Sequence, residues 1–174
     1  MKTISELRSG NPTNIVFTTY GLKFFMRQEI DFDVWLPTKE RSLQRGFVWN
    51  LWQKRELINS VLIDRDIPPF SMVIIPNPND YNLDIFQVID GKQRLMTLIS
   101  FMEDKFTIVA DGNEYFFKDL PLDYQQVIRN FRVVCKVIYE DVNVAVTDQQ
   151  KIDWFRFINF AGTPQDALHL KGLE

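Results

Sequence analysis

The order of its predicted elements places this chain in the α+β class. Two short apolar runs, residues 72–75 and 85–89, flank a polar loop and predict an antiparallel hairpin. Segments with helical periodicity precede and follow that hairpin, and "FRVVCKVIYE" predicts a further strand near the C-terminus. Hairpins mixed with helices, without regular strand–helix alternation, are typical of an α+β fold in which helices flank a mixed sheet.

The first half of the chain predicts one strand, one loop and one helix. "DFDVWLP" (31–37) alternates well enough for a short strand that stops at Pro37. Residues 38–49 are charged and lack periodicity, so we expect a loop. From Leu51 apolar residues recur at helical spacing, with Asn50 as the N-cap, until "IPPF" closes the helix.

The second half alternates between helices and strands. Leu95, Leu98 and Met102 share a face and predict a helix over roughly residues 92–103. "KFTIVADGNEYFFKDL" predicts a hairpin with Asp-Gly-Asn (111–113) at its tip. Pro at the first helical position then opens a helix that ends near residue 130 and leads into the last strand.

The C-terminal part predicts a helix capped by Thr147 or Asp148 and ending around residues 159–162. Thr163 and Pro164 then begin another helix that the chain hardly continues. Residues 1–174 are therefore expected to form a single domain that is either complete or the N-terminal part of a longer protein.

Composition excludes several classes of protein. The chain has 174 residues, of which 45% are hydrophobic, enough for one core. Its formal net charge of -3 argues against a large basic face for nucleic acid and leaves room for a local basic pocket.

The single cysteine and the single histidine restrict the chemistry further. Cys135 cannot form an intramolecular disulfide, and its apolar neighbours predict a buried, unreactive thiol. With only one histidine, His169, a zinc cluster is not expected, and no metal ligands are predicted. The N-terminus lacks a signal peptide and no apolar run is long enough to span a membrane, so we expect a cytoplasmic protein.

The stretch "VIDGKQRLMTL" (88–98) is the first candidate site. Gly91 allows close backbone approach at a strand-to-helix junction, where free N–H groups and the helix dipole favour an anion. Arg94 offers a planar fork for phosphate, and Asp90 could orient water, bind magnesium or accept from a sugar hydroxyl. In the alternative interpretation Asp90 caps the helix, Gly91 relieves strain, and Lys92 and Arg94 face solvent.

Two further stretches carry polar residues in apolar surroundings. In "LQRGFVW", Gln44 and Arg45 precede Trp49, and the alternative is a solvated charge beside an anchored loop. In "FRFINFAGTP", Asn159 and Gly162 either contribute to a site or simply end a helix.

Together the three stretches resemble the signatures of the GmrSD-type N-terminal domain. That domain is assigned to the ParB/sulfiredoxin-like fold and is found in type IV restriction and phage-defence proteins. That family shows Gln-Arg before an aromatic residue and Trp, a central Asp-Gly-Gln-Gln-Arg, and a late Arg-x-Asn followed by Gly-Thr-Pro-Leu. The resemblance covers roughly residues 30–172. The matching residues are Gln44, Arg45, Trp49, Asp90, Gly91, Gln93, Arg94, Asn159, Gly162, Thr163 and Pro164.

The resemblance implies a domain that binds and hydrolyses a nucleoside triphosphate (NTP), with Mg²⁺ as a further candidate cofactor. It implies catalytic roles for Asp90 and Arg94. Nucleotide-binding roles fall to Gln44, Arg45, Gly91, Lys92, Gln93 and Arg94, and accessory roles to Trp49, Asn159, Gly162 and Thr163. Three positions depart from the pattern: Lys92 replaces Gln, Phe157 replaces Arg, and Gln165 replaces Leu.

Two functions remain open at this point. The first is an NTP-binding, NTP-hydrolysing sensor or regulator in a DNA restriction or phage-defence system. The alternative is a non-catalytic DNA- or protein-binding module, for example a phage or mobile-element protein that interferes with host restriction. The resemblance implies a His-Asn-His-type nuclease region in a separate partner or C-terminal domain, and one histidine cannot supply such a centre in this chain. Any DNA contact is expected through a local site or a second domain.

Overall fold

The structure, a computed structural model, describes residues 12–21, 30–77, 84–140 and 145–160, and every structural statement below concerns these residues. They contain nine strands and four helices of nine residues or more. The strands are β1 (Thr13–Thr18), β2 (Ile30–Asp31), β3 (Trp35–Leu36), β4 (Arg41–Ser42), β5 (Phe70–Ile75), β6 (Ile85–Asp90), β7 (Ile108–Ala110), β8 (Asn113–Tyr115) and β9 (Arg132–Tyr139). The helices are α1 (Leu51–Leu62), α2 (Lys92–Met102), α3 (Leu122–Asn130) and α4 (Asp148–Phe160).

A five-stranded mixed sheet forms the centre of the domain, in the order β1-β9-β5-β6-β2. β9 pairs antiparallel with β1 and parallel with β5. β6 pairs antiparallel with β5 and parallel with β2. This mixed sheet with flanking helices confirms the predicted α+β class, while the assignment to the ParB/sulfiredoxin-like fold stays a prediction.

The sheet separates two hydrophobic cores because strand side chains alternate between its faces. Phe86 and Val88 of β6 join the larger core, with buried residues of α1, α2 and α3. Ile89 points to the other face and joins a smaller core with Ile152 and Phe155 of α4. The β6 strand is therefore covered on both sides, which holds its C-terminal end in a fixed position.

The long elements agree with their predicted bounds. Asn50 caps α1 through a capping box in which Gln53 N donates to its side chain and the Gln53 side chain accepts from Asn50 N. Thr147 caps α4 in the same way, with Gln150 as its partner. Both helix starts are therefore fixed by local side-chain hydrogen bonds that the sequence pattern indicated.

Three shorter features differ from prediction. The single strand predicted over 31–37 is two strands, β2 and β3, because the Asp31 carboxylate accepts from the backbone N–H groups of Asp33 and Val34 and turns the chain. The predicted loop over 38–49 contains β4, which pairs with β3. Pro121 is the N-cap of α3, one position before the helix starts, because its backbone is extended.

The hairpin tip predicted at Asp-Gly-Asn (111–113) is confirmed. Asp111 and Gly112 both have positive φ, as expected in a tight turn between β7 and β8. β1 was not predicted at all, since its side chains are mostly exposed and give no apolar signal. Residues 78–83 of the predicted loop and the segment from Gly162 onward lie outside the described residues.

Cys135 lies fully buried in β9, as the sequence predicted. Burial raises the pKa of its thiol to about 12, so the reactive thiolate is scarce at neutral pH. We therefore expect no modification by a thiol reagent in the native protein and complete modification in denaturant. Mass spectrometry after iodoacetamide treatment checks this, and rapid native labelling would contradict the burial.

None of the helices in the described part of the chain combines the length and the apolar character needed to cross a bilayer.

Candidate functional site

The junction between β6 and α2 is the centre of the candidate site. Gly91 links Asp90, the last residue of β6, to the helix in a left-handed conformation with φ of 96°. It is the N-cap residue but has no side chain to cap the helix, and the first turn contains no acidic residue. Among the described residues, no group accepts a hydrogen bond from the backbone N–H of residues 92–94. Unpartnered N–H groups at a helix start favour an anion.

Lys92 does not face solvent. Its side chain is only 4% exposed, and its ammonium lies 2.5 Å from a carboxylate oxygen of Asp33 in the loop between β2 and β3. A buried ammonium needs such a partner, since an unpaired buried charge is strongly destabilising. Lys92 therefore fixes the β2–β3 loop to the first turn of α2.

Gln93 fixes a second segment to the same helical turn. Its side-chain oxygen accepts from the backbone N–H groups of Val48 at 3.0 Å and of Trp49 at 3.3 Å. Its side-chain amide donates to the carbonyl of Gly46 at 3.0 Å. One side chain therefore closes three hydrogen bonds to the loop that precedes α1.

Arg94 fixes a third segment. Its guanidinium lies 2.7 Å from the Asp90 carboxylate, donates to the carbonyl of Pro68, and lies over the ring of Phe70 at 5.2 Å. Burial lowers the pKa of Arg94, and the charge of Asp90 partly opposes that shift. Both side chains of the pair are 14% exposed, so Arg94 holds Asp90 and the chain before β5 in place.

The loop that precedes α1 also carries Gln44, Arg45 and Trp49. The buried Gln44 side chain donates to the carbonyl of Val88, at the part of β6 that β2 does not reach. Trp49 is half-buried against the larger core. Arg45 is exposed, and its side chain makes no hydrogen bond or ion pair within the described parts of the chain. Of the predicted site residues in this loop, Arg45 has its charge available to a ligand.

The third predicted stretch is only partly visible. Asn159 is buried in the last turn of α4, and its amide donates to the carbonyl of Phe155 at 2.7 Å. Asn159 belongs to α4, which packs on β6, the strand that ends at Asp90. Phe157, at the position of the family arginine, is 73% exposed. Gly162 and Thr163 lie outside the described residues.

Three segments thus converge on the start of α2, each through one of the consecutive residues 92–94. Sequence reasoning missed two of the partners, Asp33 and the carbonyl of Pro68. The sequence does not show that Lys92 is buried and therefore needs a carboxylate, so it carries no signal for Asp33. Nothing in the sequence distinguishes the Pro68 carbonyl from any other backbone acceptor.

We expect Gln93→Leu to lower the free energy of unfolding by about 3 kcal/mol, since it removes three hydrogen bonds worth about 1 kcal/mol each and keeps the side-chain volume. Urea denaturation checks this. The control is Gln149→Leu on the exposed side of α4, where one side-chain contact to Asp153 is lost. Equal stability losses in the two variants would contradict a special role for Gln93.

The described residues contain no group of three His, Cys, Asp or Glu side chains arranged to bind a metal ion. A Mg²⁺ ion needs only one or two protein carboxylates when substrate phosphates supply the other ligands. Asp90 fits that requirement, because hydrogen bonding to Arg94 engages one of its carboxylate oxygens. The donor set therefore fits Mg²⁺ only together with a phosphate ligand.

Comparison with protein-family models gives a match to this chain. The family is described as "GmrSD restriction endonuclease, N-terminal domain", and it matches residues 35–171, which is most of the chain. Neither curated proteins nor solved structures gave a match. The chain therefore belongs to the family of GmrSD restriction endonuclease N-terminal domains, a family of restriction and phage-defence proteins.

Proposed function

We propose that this domain binds a nucleoside triphosphate at the β6–α2 junction and acts in the cytoplasm as the nucleotide-dependent sensor or regulator of a restriction or phage-defence system. Family membership supports the association with restriction. The nucleotide is inferred from the chemistry of the junction and from the resemblance of its motifs.

One observation carries the proposal. Gln93 binds the backbone of residues 46–49, which brings the loop carrying Arg45 alongside the start of α2. The exposed, unpaired guanidinium of Arg45 therefore lies in a loop beside the start of α2. The first N–H groups of α2 have no acceptor among the described residues. Backbone donors and a planar cation together are suited to phosphate oxygens.

Glycine at position 91 is what allows a ligand to approach this backbone. Its N–H and those of residues 92–94 can reach phosphate oxygens without interference from a side chain at the N-cap. Lys92 is committed to Asp33, so its charge contributes to the local potential at short range but does not reach out to solvent.

The proposal extends to hydrolysis through Asp90. Its carboxylate has one oxygen bonded to Arg94, and the other can orient an attacking water or bind Mg²⁺ when a triphosphate is present. Arg94 then serves by holding Asp90 in position. Coupling of this site to DNA recognition, or to a nuclease partner or domain, belongs to the same proposal.

We expect Arg45→Gln to weaken binding of the NTP about tenfold, because it removes an unpaired cation from the phosphate region without disturbing a structural contact. Isothermal titration of the variant checks this. The control is Lys118→Gln, which removes an exposed cation from the turn that packs beside the other end of α2. Equal affinities for the two variants would place the phosphates elsewhere.

A non-catalytic DNA- or protein-binding module is the second candidate function. The observation that favours it is that Lys92, Gln93 and Arg94 all have partners within the domain. If the three side chains serve only to stabilise the fold through these contacts, the domain does not need to bind a nucleotide. That module would give no heat when any NTP is titrated.

A further inference from the structure

A cavity of about 320 Å³ lies at the opposite edge of the sheet from the β6–α2 junction. It is lined by Thr18 and Tyr20, which follow β1, and by Arg129 and Asn130 at the end of α3. This volume is at the lower limit of small-molecule sites. Sequence reasoning did not single out any of the four residues.

The walls of this cavity are fixed by contacts beneath it. Thr19 is fully buried, and both its backbone N–H and its hydroxyl donate to the carbonyl of Phe131, at 3.0 and 3.2 Å. The turn that carries Tyr20 is thereby anchored to the segment between α3 and β9. A further bond from Gly21 N to the Thr18 hydroxyl closes the turn.

Arg129 is held in a defined orientation. Its guanidinium lies over the ring of Phe117 at 5.3 Å, and one N–H group donates to the Gln125 side chain at 3.3 Å. The remaining N–H donors have no partner among the described residues. The helix dipole places a partial negative charge of roughly half a unit at the C-terminal end of α3. The full positive charge of Arg129 is larger, so the net charge of these two groups is positive.

The lining chemistry selects an anionic ligand with a planar group. The four side chains provide a guanidinium, two hydroxyls and an amide, with no carboxylate among them. Tyr20 is 59% exposed and offers an aromatic face. A phosphate suits the guanidinium and the hydroxyl of Thr18, while a nucleobase can stack on tyrosine and hydrogen-bond to the amide of Asn130.

The cavity is separate from the β6–α2 junction. Thr18 pairs with Arg132 at the start of β9, whereas Asp90 lies three strands away, at the level of Ser71 and Lys136. Three strand spacings across the sheet and four residues along it amount to roughly 20 Å. Both sites nevertheless lie toward the same end of the sheet.

We propose that the Thr18–Tyr20–Arg129–Asn130 cavity is a second binding site, which takes one nucleotide unit through its phosphate and its base. The unit comes from a free mononucleotide or from a strand of nucleic acid, and the chemistry of recognition is the same for both. This site does not depend on triphosphate binding at the junction.

The test uses a fluorescein-labelled oligothymidylate of about ten nucleotides in an anisotropy titration, with thymidine monophosphate as a competitor. Asn130→Asp keeps the side-chain shape and places a negative charge in the cavity. We expect it to weaken oligonucleotide binding about tenfold, through like-charge repulsion. The matched control is Asn14→Asp, on an exposed position of β1 beside Lys136, which we expect to leave affinity unchanged.

Arg129→Gln provides a second readout, because loss of one phosphate contact lowers the salt dependence of binding by about 0.7 in the log–log slope. Competition by the mononucleotide would assign the site to free nucleotides, and binding of the oligonucleotide alone would assign it to a strand. Absence of oligonucleotide and mononucleotide binding, or equal affinities of the two aspartate variants, would overturn the proposal. Asn130→Asp is expected to leave the rate of Mg²⁺-dependent NTP hydrolysis, the reaction proposed for the junction, unchanged, so this proposal and the one for the junction can fail separately.

Discussion

Gly91→Ala is expected to lower the free energy of unfolding by about 4 kcal/mol. At φ of 96° an alanine costs about 1–2 kcal/mol in backbone strain. Its Cβ would also lie 2.5 Å from Cδ1 of Phe70, whose ring is fully buried beneath Arg94. Forcing that ring aside costs a further ~1–3 kcal/mol, as in other overpacked cores.

The matched control is Gly112→Ala at the hairpin tip. Gly112 also has positive φ, at 76°, but a Cβ there would have no atom within 4 Å. It therefore isolates the backbone cost, and we expect a loss of about 1 kcal/mol. Urea denaturation of the two variants measures the difference. Similar losses would show that the approach of Phe70 does not restrict position 91.

Asp90→Asn is expected to lower kcat for NTP hydrolysis at least about a hundredfold, because an amide cannot act as a base toward water or as a hard ligand for Mg²⁺. Asparagine can still accept a hydrogen bond from Arg94, so the junction should keep its shape. We therefore expect the affinity for the NTP to change by less than about threefold, since our proposal assigns the main phosphate contacts to backbone N–H groups and Arg45.

Single-turnover hydrolysis and a binding titration on the same preparation separate the two effects. Asp123→Asn, in the exposed first turn of α3, is the control for loss of a carboxylate and is expected to leave both quantities unchanged. A variant at position 90 that hydrolyses NTP as fast as the wild type would remove Asp90 from the reaction.

The sequence predicted the elements whose apolar residues are periodic and buried. β5, β6 and β9 were recognisable because they lie in the centre of the sheet, and α1 because its apolar face and cap agree. β1 escaped prediction, since it is an edge strand with largely exposed side chains. The order of the strands could not be predicted either, because β9 lies between β1 and β5 and pairs with residues more than 60 positions away in the chain.

The candidate site was predicted better in its residues than in their roles. The motif at 90–94 lies where expected, at a strand-to-helix junction with a glycine N-cap. The sequence could not show that Lys92 binds Asp33 or that Gln93 binds the loop before α1, since these partners are 59 and 45 residues away. The charge of Lys92 is thus neutralised inside the domain, and among the described residues of the candidate site the cation without a partner is Arg45.

The most direct test of the account is an isothermal titration of the wild-type protein with each of the four NTPs in the presence of Mg²⁺. We expect saturable heat with at least one of them, and its loss or marked weakening in Arg45→Gln but not in Lys118→Gln. No heat with any of the four would contradict nucleotide binding at the β6–α2 junction. The motif would then have only a structural role, in which it holds three segments at the start of α2.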